Sequence, residues 1–428
     1  MTRLIPLQSY EKFVEEARMD YGKLPQETSE LYKRHYIQIQ KDLITLPDSP
    51  SKFSVADFGV KFDAVLSNGR STAADSRYIR IISMEEAIAS DKYAKFHNSA
   101  DDKYVAYINA CAKDAVVIDV PDNETVRLSI MASAAGAPLN SRMFIRVGDG
   151  ANLTLLTYFA SDSGDTNALG MINDISIGDD SNVEINSIHN EGNATIGIGF
   201  CKNSIGSRSH LRLNSLYNGT AHTRIRNFIS AGGNESKVDV NEMVFGSSEQ
   251  KFDINTFIIN DAPRSSASLE SKAALTERSF CILKGFAKIN KGASKSRSYV
   301  HERGILLDKD AKVDGLPDMS VDENDVRATH SSATAPIDPE VVFYLMSKGI
   351  TEAEVKSLIV AGFFAESLSR IHDSMMKEIS MSLISEKLKK GSFGNVPIMG
   401  IRNLWGSAAA EQDHESMFKG HYKYRNVE

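Results

Sequence analysis

One histidine, His330, stands among small and hydroxyl-bearing residues in the segment DVRATHSSATAPID, which spans 325–338. A neutral imidazole there can ligate a metal ion that accepts nitrogen donors. The small neighbours leave room for a bound group. A histidine in such a segment can also simply hydrogen-bond and help to begin the next helix. The residue types therefore leave a metal-binding role and a structural role open.

Two further candidates, His301 and Glu302, lie in SRSYVHERGILL, a segment whose alternating pattern predicts a strand. Neighbouring side chains on a strand face opposite sides, so at most one of the two can point into a site. The simpler interpretation is that both are charged residues on an exposed strand.

The three cysteines, Cys111, Cys201 and Cys281, are far apart, and no pair has CxxC spacing. A zinc or cluster site built within one segment is therefore not expected. An odd and sparse count argues against a disulfide framework and fits a reducing compartment, so each cysteine is interpreted as a small buried apolar residue. No GxxxxGK[ST] motif occurs, and the chain itself is not expected to hydrolyse ATP.

Length and composition limit the class of protein. A chain of 428 residues is too long for one compact core, which predicts several domains or one elongated domain with flanks. The hydrophobic content of 42% and charged content of 25% are ordinary for a soluble protein, and the net charge of -7 gives no support for nucleic-acid or membrane-surface binding. No signal peptide and no run of about 18 apolar residues is present, so we expect a cytoplasmic protein.

The elements that would position these candidates begin with a repeating middle region. Alternation predicts short strands such as VVIDV at 116–120 and VDVNEMVF at 238–245. Four segments share a leading glycine, Ala or Ser three positions later, and an aliphatic residue five positions later. Their first residues, at steps of 30, 28 and 27, are Gly148, Gly178, Gly206 and Gly233. A fifth segment fits the same frame with Asp308 in place of glycine.

This period, with one strand and one turn for each copy, predicts a mainly β fold with a right-handed parallel β-helix (solenoid) as its core. Each coil leaves strand edges unpaired, and the next coil satisfies them. The glycine would supply the turn backbone, the small residue would let coils approach, and the aliphatic residue would point inward. The alternative is a β-sandwich with repeated hairpin turns.

Helical patterns flank the repeats on both sides. Three helices are predicted before the repeats, at 9–21, 29–43 and 83–96. The predicted organisation therefore has four parts: an N-terminal helical region at 1–100, a β-helix core at 101–325, a C-terminal helical region at 326–390 and a tail at 391–428.

The C-terminal helical region has clear boundary signals. Asp338 can cap a helix whose first turn holds Pro339, and Gly349 fits the position after its end. Thr351 and Glu354 form a capping box for the next helix. The two helices carry more apolar residues than one buried face needs, so part of this surface is a candidate docking site, with the residues Pro339, Phe343, Tyr344, Leu345, Leu358, Ile359 and Phe363.

Three segments, taken in order, resemble the scaffold proteins of the SUF iron–sulfur assembly system, the SufB/SufD family. They are YINACAKDAVVIDVP at 107–121, GLPDMSVDENDV at 315–326 and VRATHSSATAPIDPEVVFYLMSKGITEAEVKSLIVAGFF at 326–364. The SufB type has a cysteine at the position of Glu302 and an acidic residue at that of Ser331, and both are absent here. The chain is therefore identified as SufD-like, although Ser331 and Ser332 replace the small residues that usually follow the histidine.

The resemblance implies a non-catalytic scaffold subunit that pairs through its β-helix with a SufB-type paralogue. Its C-terminal helices would hold a SufC-type ABC ATPase. In isolation the chain is expected to form a homodimer through the last solenoid coils, because pairing would cover an open strand edge. No tightly bound cofactor is implied. A transient iron–sulfur cluster would form at the subunit interface, and this makes His330, with Glu302 and His301, the candidate cluster site.

Other functions stay open at this point. A secreted-type β-helix enzyme acting on carbohydrates would need paired carboxylates over a groove, and Asp179, Asp180, Glu184 and Asp239 lie in the repeats. A SufB-like paralogue lacking the cysteine and a purely structural solenoid are the remaining alternatives.

Overall fold

The computed structural model describes residues 10–28, 36–39, 62–67, 71–90, 102–134, 138–161 and 167–390. The chain divides into two compact units, residues 1–338 and 339–428. The first unit is a parallel β-solenoid of about seven turns with helices before it, and the described part of the second unit is helical.

Two ten-stranded sheets form the solenoid. The first sheet contains, in spatial order, β2 (Thr72–Ala73), β1 (Ala64–Leu66), β5 (Thr125–Ser133), β7 (Asn152–Ala160), β9 (Asn182–Asn190), β11 (His210–Tyr217), β13 (Lys237–Gly246), β15 (Ser266–Leu275), β17 (Arg297–Leu306) and β20 (Arg327–Pro336). The second contains β3 (Ile79–Ser83), β4 (Asp114–Val120), β6 (Leu139–Val147), β8 (Asn167–Ile177), β10 (Thr195–Ile205), β12 (His222–Ala231), β14 (Lys251–Asn260), β16 (Phe280–Ile289), β18 (Lys312–Gly315) and, also beside β16, β19 (Asp318–Val321).

The chain alternates between the two sheets, and every described strand pair is parallel except β1 with β2 and β3 with β4. This excludes the β-sandwich of antiparallel hairpins. Each repeat contains two strands and two turns, so the prediction of one strand and one turn for each copy is wrong. Glycines also recur in the second turn, as at Gly192 and Gly219, and the predicted repeat did not include them. Ser248 and Glu277 take the left-handed backbone in this turn, with φ of 56° and 58°.

The repeat glycines are needed for space rather than for backbone conformation. A Cβ on Gly178 would overlap Asp149 Oδ1 and lie 2.9 Å from the Asp149 backbone nitrogen in the previous coil. The left-handed φ falls two residues later, at Asp180 and Arg208, with values of 56° and 55°. The predicted role of these glycines in the turn backbone is therefore corrected to close stacking of successive turns.

The other two repeat positions behave as predicted. Ser181 Oγ donates to the Gly148 carbonyl at 2.7 Å, and Ser209 Oγ donates to that of Gly178 at 2.6 Å. The aliphatic residues are buried in the core between the sheets, with Leu153, Val183, Leu211 and Val238 at most 1% exposed. The segment that begins at Asp308 also buries its aliphatic residue, but it lies in the second sheet.

The N-terminal region mixes helices and strands. Helix α1 (Tyr10–Lys23) and helix α2 (Met84–Ala89), which is capped by Ser83, agree with two predicted helices as far as the described residues extend. Most of the helix predicted at 29–43 lies outside the described residues, and the prediction is wrong for residues 36–39, which are not helical. There the Ile39 N–H donates to Gln26 Oε1 instead of to a helical carbonyl. Helix α3 (Lys103–Cys111) falls within the region predicted as β-helix, because the Asp102 carboxylate accepts from two backbone N–H groups and begins a helix there.

Three helices make up the described part of the second unit: α4 (Pro339–Ser347), α5 (Glu352–Ser369) and α6 (Ser374–Lys390). The capping box of Thr351 and Glu354 is present, and Gly349 has the left-handed φ of 88°. The predicted start of the helical region at 326 differs from the structure, because the solenoid continues through β20 and the units divide after Asp338. No helix among the described residues is long and apolar enough to cross a membrane.

Candidate functional site

His330 lies on β20, the last strand of the first sheet. Its pairing partner is Val300 of β17, and Ser332 pairs with Glu302. Val300 belongs to the core between the sheets, so His330 and Ser332 share that face of their strand, which we call the lumen face. His330 is exposed although it is on the lumen face, because no described strand pairs with the outer edge of β20. We call this end of the solenoid, formed by β18, β19 and β20, the open end.

The imidazole of His330 is held by one hydrogen bond. Its Nδ1 lies 3.3 Å from the Pro317 carbonyl oxygen. A carbonyl oxygen only accepts, so Nδ1 carries the proton and donates. This tautomer leaves the Nε2 lone pair available, which is the arrangement that metal-binding histidines use.

Glu302 is the acidic neighbour of His330 on the lumen face, and it is only 1% exposed. The Gly285 backbone N–H donates to Glu302 Oε1 at 2.7 Å. Burial raises the pKa of the Glu302 carboxyl to about 8, and the Glu242 carboxyl adds to the increase, although the amides of Gly285 and Leu316 oppose it. Glu302 is therefore mainly a neutral acid at pH 7, and the interpretation of it as an exposed strand charge is wrong.

His301 points away from this site. It occupies the opposite face of β17, where Arg303 Nε donates to its Nε2 at 2.7 Å and the Tyr299 ring meets it edge-on at 5.7 Å. The side chain is 9% exposed, so it is not an exposed strand residue either. The structure thus brings Glu302 and His330 to one face and separates His301 from them.

A row of polar side chains, which was not predicted from the sequence, extends inward from Glu302 along the lumen face. Strand register aligns one residue from each successive coil: Thr157, Ser187, Ser215, Glu242, Ser271, Glu302 and Ser332. Glu242 accepts from Thr256 Oγ1 at 2.6 Å and from Ser271 Oγ at 2.7 Å, and burial raises the pKa of its carboxyl. The signal was present in VDVNEMVF, where alternation puts Glu242 on the same face as Val238 and Val240.

The cysteines do not form a site with His330. Burial raises the pKa of the Cys111 thiol to about 11 and that of the Cys201 thiol to about 12, so both stay protonated at neutral pH. Among the described residues, no group of three or more His, Cys, Asp or Glu side chains is arranged to hold a metal ion. A metal ion at His330 would therefore need further ligands from outside the described residues.

The predicted docking residues lie on α4 and α5. Phe343 and Tyr344 are 75% and 60% exposed, Pro339 is exposed, and Leu345 is partly buried. On α5, Leu358, Ile359 and Phe363 are partly buried, whereas that helix buries residues such as Val355, Val360 and Phe364. The aromatic pair on α4 is therefore the most exposed part of the predicted surface.

The carboxylates considered for a carbohydrate-active enzyme hold neighbouring coils together. Asp179 Oδ1 accepts from the Ser207 N–H at 2.7 Å, and Asp180 pairs with Arg208 at 2.6 Å. These acids stack the turns, which favours a structural role over a catalytic one.

Comparison with known proteins agrees with the resemblance. Residues 130–363 match the family model described as SUF system FeS cluster assembly, SufBD core domain. The iron-sulfur cluster assembly protein SufD of Bacillus subtilis (strain 168) is 30% identical over 151 residues, which are 35% of this chain and 35% of that protein. SufD of Escherichia coli (strain K12) is 22% identical over 160 residues, 37% of this chain and 38% of its own length.

The alignments thus span little more than a third of these two relatives. The SufBD family protein Rv1461 of Mycobacterium tuberculosis (strain ATCC 25618 / H37Rv) is 30% identical over 131 residues, 31% of this chain and 16% of that protein. The match to the core-domain model covers more than half of the 428 residues. The chain therefore belongs to the SufBD family of SUF-system iron–sulfur cluster assembly proteins, as a SufD-like member.

Proposed function

We propose that this chain is a non-catalytic scaffold subunit of a cytoplasmic SUF assembly complex. It pairs at its open end with a SufB-type paralogue, or with a second copy when alone, and it binds a SufC-type ATPase through α4 and α5. The nascent iron–sulfur cluster is its cargo, held transiently where the two scaffold subunits meet. Family membership and the geometry of the open end support this proposal.

The observation that carries the proposal is an exposed edge strand with an imidazole on its lumen face. The Arg327 N–H donates at 3.0 Å to the carbonyl of Ser296, the residue before β17, and the Ile337 N–H donates at 3.1 Å to that of Leu306, the last residue of β17. Alternation along a parallel strand then directs the N–H groups of Ala328, His330 and Thr334 outward, away from β17. Such an edge is a template for another chain, and a partner that covers it would lie directly beside His330.

The ATPase-docking assignment is supported by the exposed aromatic pair of α4. Large exposed apolar side chains are costly in water and commonly mark interaction sites. Phe343 and Tyr344 adjoin Val341 and Met346, which are 45% and 44% exposed, so the apolar surface is continuous along the helix.

The test of the cluster role is reconstitution with a SufB-type and a SufC-type protein. We expect His330→Ala to leave folding and subunit pairing intact and to reduce the cluster formed to a small fraction, measured as bound iron and sulfide and by visible absorption. Thr329→Ala, on the opposite face of the same strand, is the matched control and should give full yield. An unchanged yield from His330→Ala would remove His330 from the site.

The test of the docking surface is titration calorimetry with the ATPase. Phe343→Ala should weaken binding by about 2 kcal/mol, as truncation of a central aromatic anchor does. Met19→Ala, a change at another exposed apolar residue on α1, should leave the affinity unchanged. Equal affinities for the Phe343 variant and the parent chain would place the ATPase elsewhere.

A further inference from the structure

Two glycines face the Glu302 carboxyl from the second sheet. A Cβ on Gly285 would lie 3.1 Å from Glu302 Oε1, and a Cβ on Gly315 would lie 3.0 Å from Oε2 and overlap Ser332 Oγ. Neither glycine has a left-handed φ, so the backbone conformation would accept another residue at both positions. Space for the carboxyl, rather than backbone freedom, is what the missing Cβ atoms provide. We call this space the recess.

The recess is closed on its inner side. On its inner side, a Cβ on Gly285 would already crowd Val300 Cγ1 at 2.5 Å and Leu269 Cδ2 at 2.7 Å, so the core is filled there. Glu242 lies further inward along the same row, and a second carboxyl there disfavours an inward shift of Glu302. Toward the open end, the neighbours are Ser332 and then His330 on the exposed edge strand. A carboxyl displaced from the recess therefore moves toward His330.

We propose that Gly315 is a positioning residue of the open end, because its missing Cβ keeps the Glu302 carboxyl withdrawn in the recess behind His330. A metal ion arriving at the open end then meets the imidazole first, and the carboxyl stays on the Gly285 N–H. The nitrogen of His330 is then the ligand available at the exposed position, and the hard oxygen donor of Glu302 does not reach the metal ion. The inference rests on the proposed function, since it takes His330 to be the residue that meets the metal.

The experiment uses Co²⁺ alone as the probe, titrated into the full chain and followed by visible absorption. The informative variant is Gly315→Ala combined with Ser332→Ala, because removing the serine hydroxyl relieves the closest overlap and leaves the Glu302 contact. Ser332→Ala alone is the matched control. We expect the double variant to bind Co²⁺ about tenfold more tightly than the control, with a changed absorption spectrum, as changes around a metal ligand commonly give.

Two comparisons make the outcome specific. In a Glu302→Gln background, the difference between the double variant and its control should disappear, because the carboxyl group that can ionise and bind the metal outside the recess is gone. Glu302→Asp, which leaves both glycines intact and shortens the side chain, should not tighten binding. Thermal unfolding checks that each variant is folded.

Three results would overturn the inference: equal Co²⁺ affinities for the double variant and Ser332→Ala, the same difference in the Glu302→Gln background, or tighter binding by Glu302→Asp. Failure of the proposed function is distinguishable, because then Co²⁺ binding by the parent chain would be unaffected by His330→Ala.

Discussion

The two ends of the solenoid are finished in different ways. At the N-terminal end, the antiparallel strands β2 and β3 complete the sheets, and Leu66, Ile79 and Met84 are at most 2% exposed. At the C-terminal end, β20 completes the first sheet, and none of its ten residues is buried. One end is covered by the chain itself, and the other presents a strand edge.

Stacking of solenoid coils ends where the parallel hydrogen-bond ladder changes to an antiparallel one or where another chain covers the last strand. An antiparallel strand reverses the pairing pattern and cannot be followed by another parallel coil of the same kind. A parallel strand with free outward N–H groups can be followed by one, and natural proteins rarely leave such edges unprotected. Pro336 is the one proline on β20, and it has no N–H that could donate to a further strand on the outward side. The open end therefore has the features of an interface, whereas the N-terminal end has those of a core.

The largest expected difference between the ends is in the free energy of unfolding that is lost on mutation, and it involves a buried ion pair near the N-terminal end. Arg142 Nη2 lies 2.7 Å from Asp174 Oδ2, with both side chains at most 4% exposed, and Arg142 also donates to Asn109 of α3. Asp174→Ala leaves a buried guanidinium without its carboxylate and should reduce the free energy of unfolding by about 3–5 kcal/mol. Ser332→Ala, at the open end, should change it by less than about 0.5 kcal/mol. Urea unfolding of both variants checks this, and similar losses would contradict the distinction between the ends.

A second prediction concerns the pH dependence of the free energy of unfolding, to which His222 on the outer face of the second sheet contributes. Burial lowers the pKa of His222 to about 4, and Lys251, Arg224 and Arg226 lower it further, although Asp253 opposes them. The unfolded chain binds this proton near pH 6.5 and the folded chain only near 4, so stability should fall as pH decreases between those values.

The loss of unfolding free energy attributable to His222 is at most about 3–4 kcal/mol from the same shift. His222→Gln should reduce the fall in unfolding free energy between pH 6.5 and 4. Thr223→Val should change the unfolding free energy by the same amount at every pH in this range, so the slope against pH stays the same. An identical slope in His222→Gln and the parent chain would show that the charge of this residue does not matter there.

The smallest expected effect tests the edge itself. Thr334→Pro removes an outward N–H, so it should weaken pairing at the open end by about tenfold, the equivalent of one hydrogen bond. Ala333→Pro removes an N–H that faces β17 and should instead destabilise the fold. Sedimentation equilibrium measures the first effect, and thermal unfolding measures the second. Unchanged pairing in Thr334→Pro would mean that the partner does not use this edge.

Much of the fold was predictable from local patterns. The repeat at Gly148, Gly178, Gly206 and Gly233 identified the solenoid, and the buried positions of Leu153 and Val183 follow from it. The capping box at Thr351 is a signal within four residues. The second strand of each coil was missed, because only the glycines of the first turn defined the repeat, although glycines such as Gly192 and Gly219 also recur in the second turn. Helix α3 was missed because all residues from 101 onward were assigned to the β-helix core.

The site was predictable only in its residue types. The sequence determined that His301 and Glu302 face opposite sides, that His330 follows the repeats, and that a pair of capped helices comes next. Both neighbours are buried, and Glu302 and His330 share the lumen face. These two facts depend on how coils about 30 residues apart are aligned. Alternation and capping are set by nearest neighbours, so they are legible along the chain. The alignment of one coil on the next is set by packing between distant residues, and only the tertiary structure decided it.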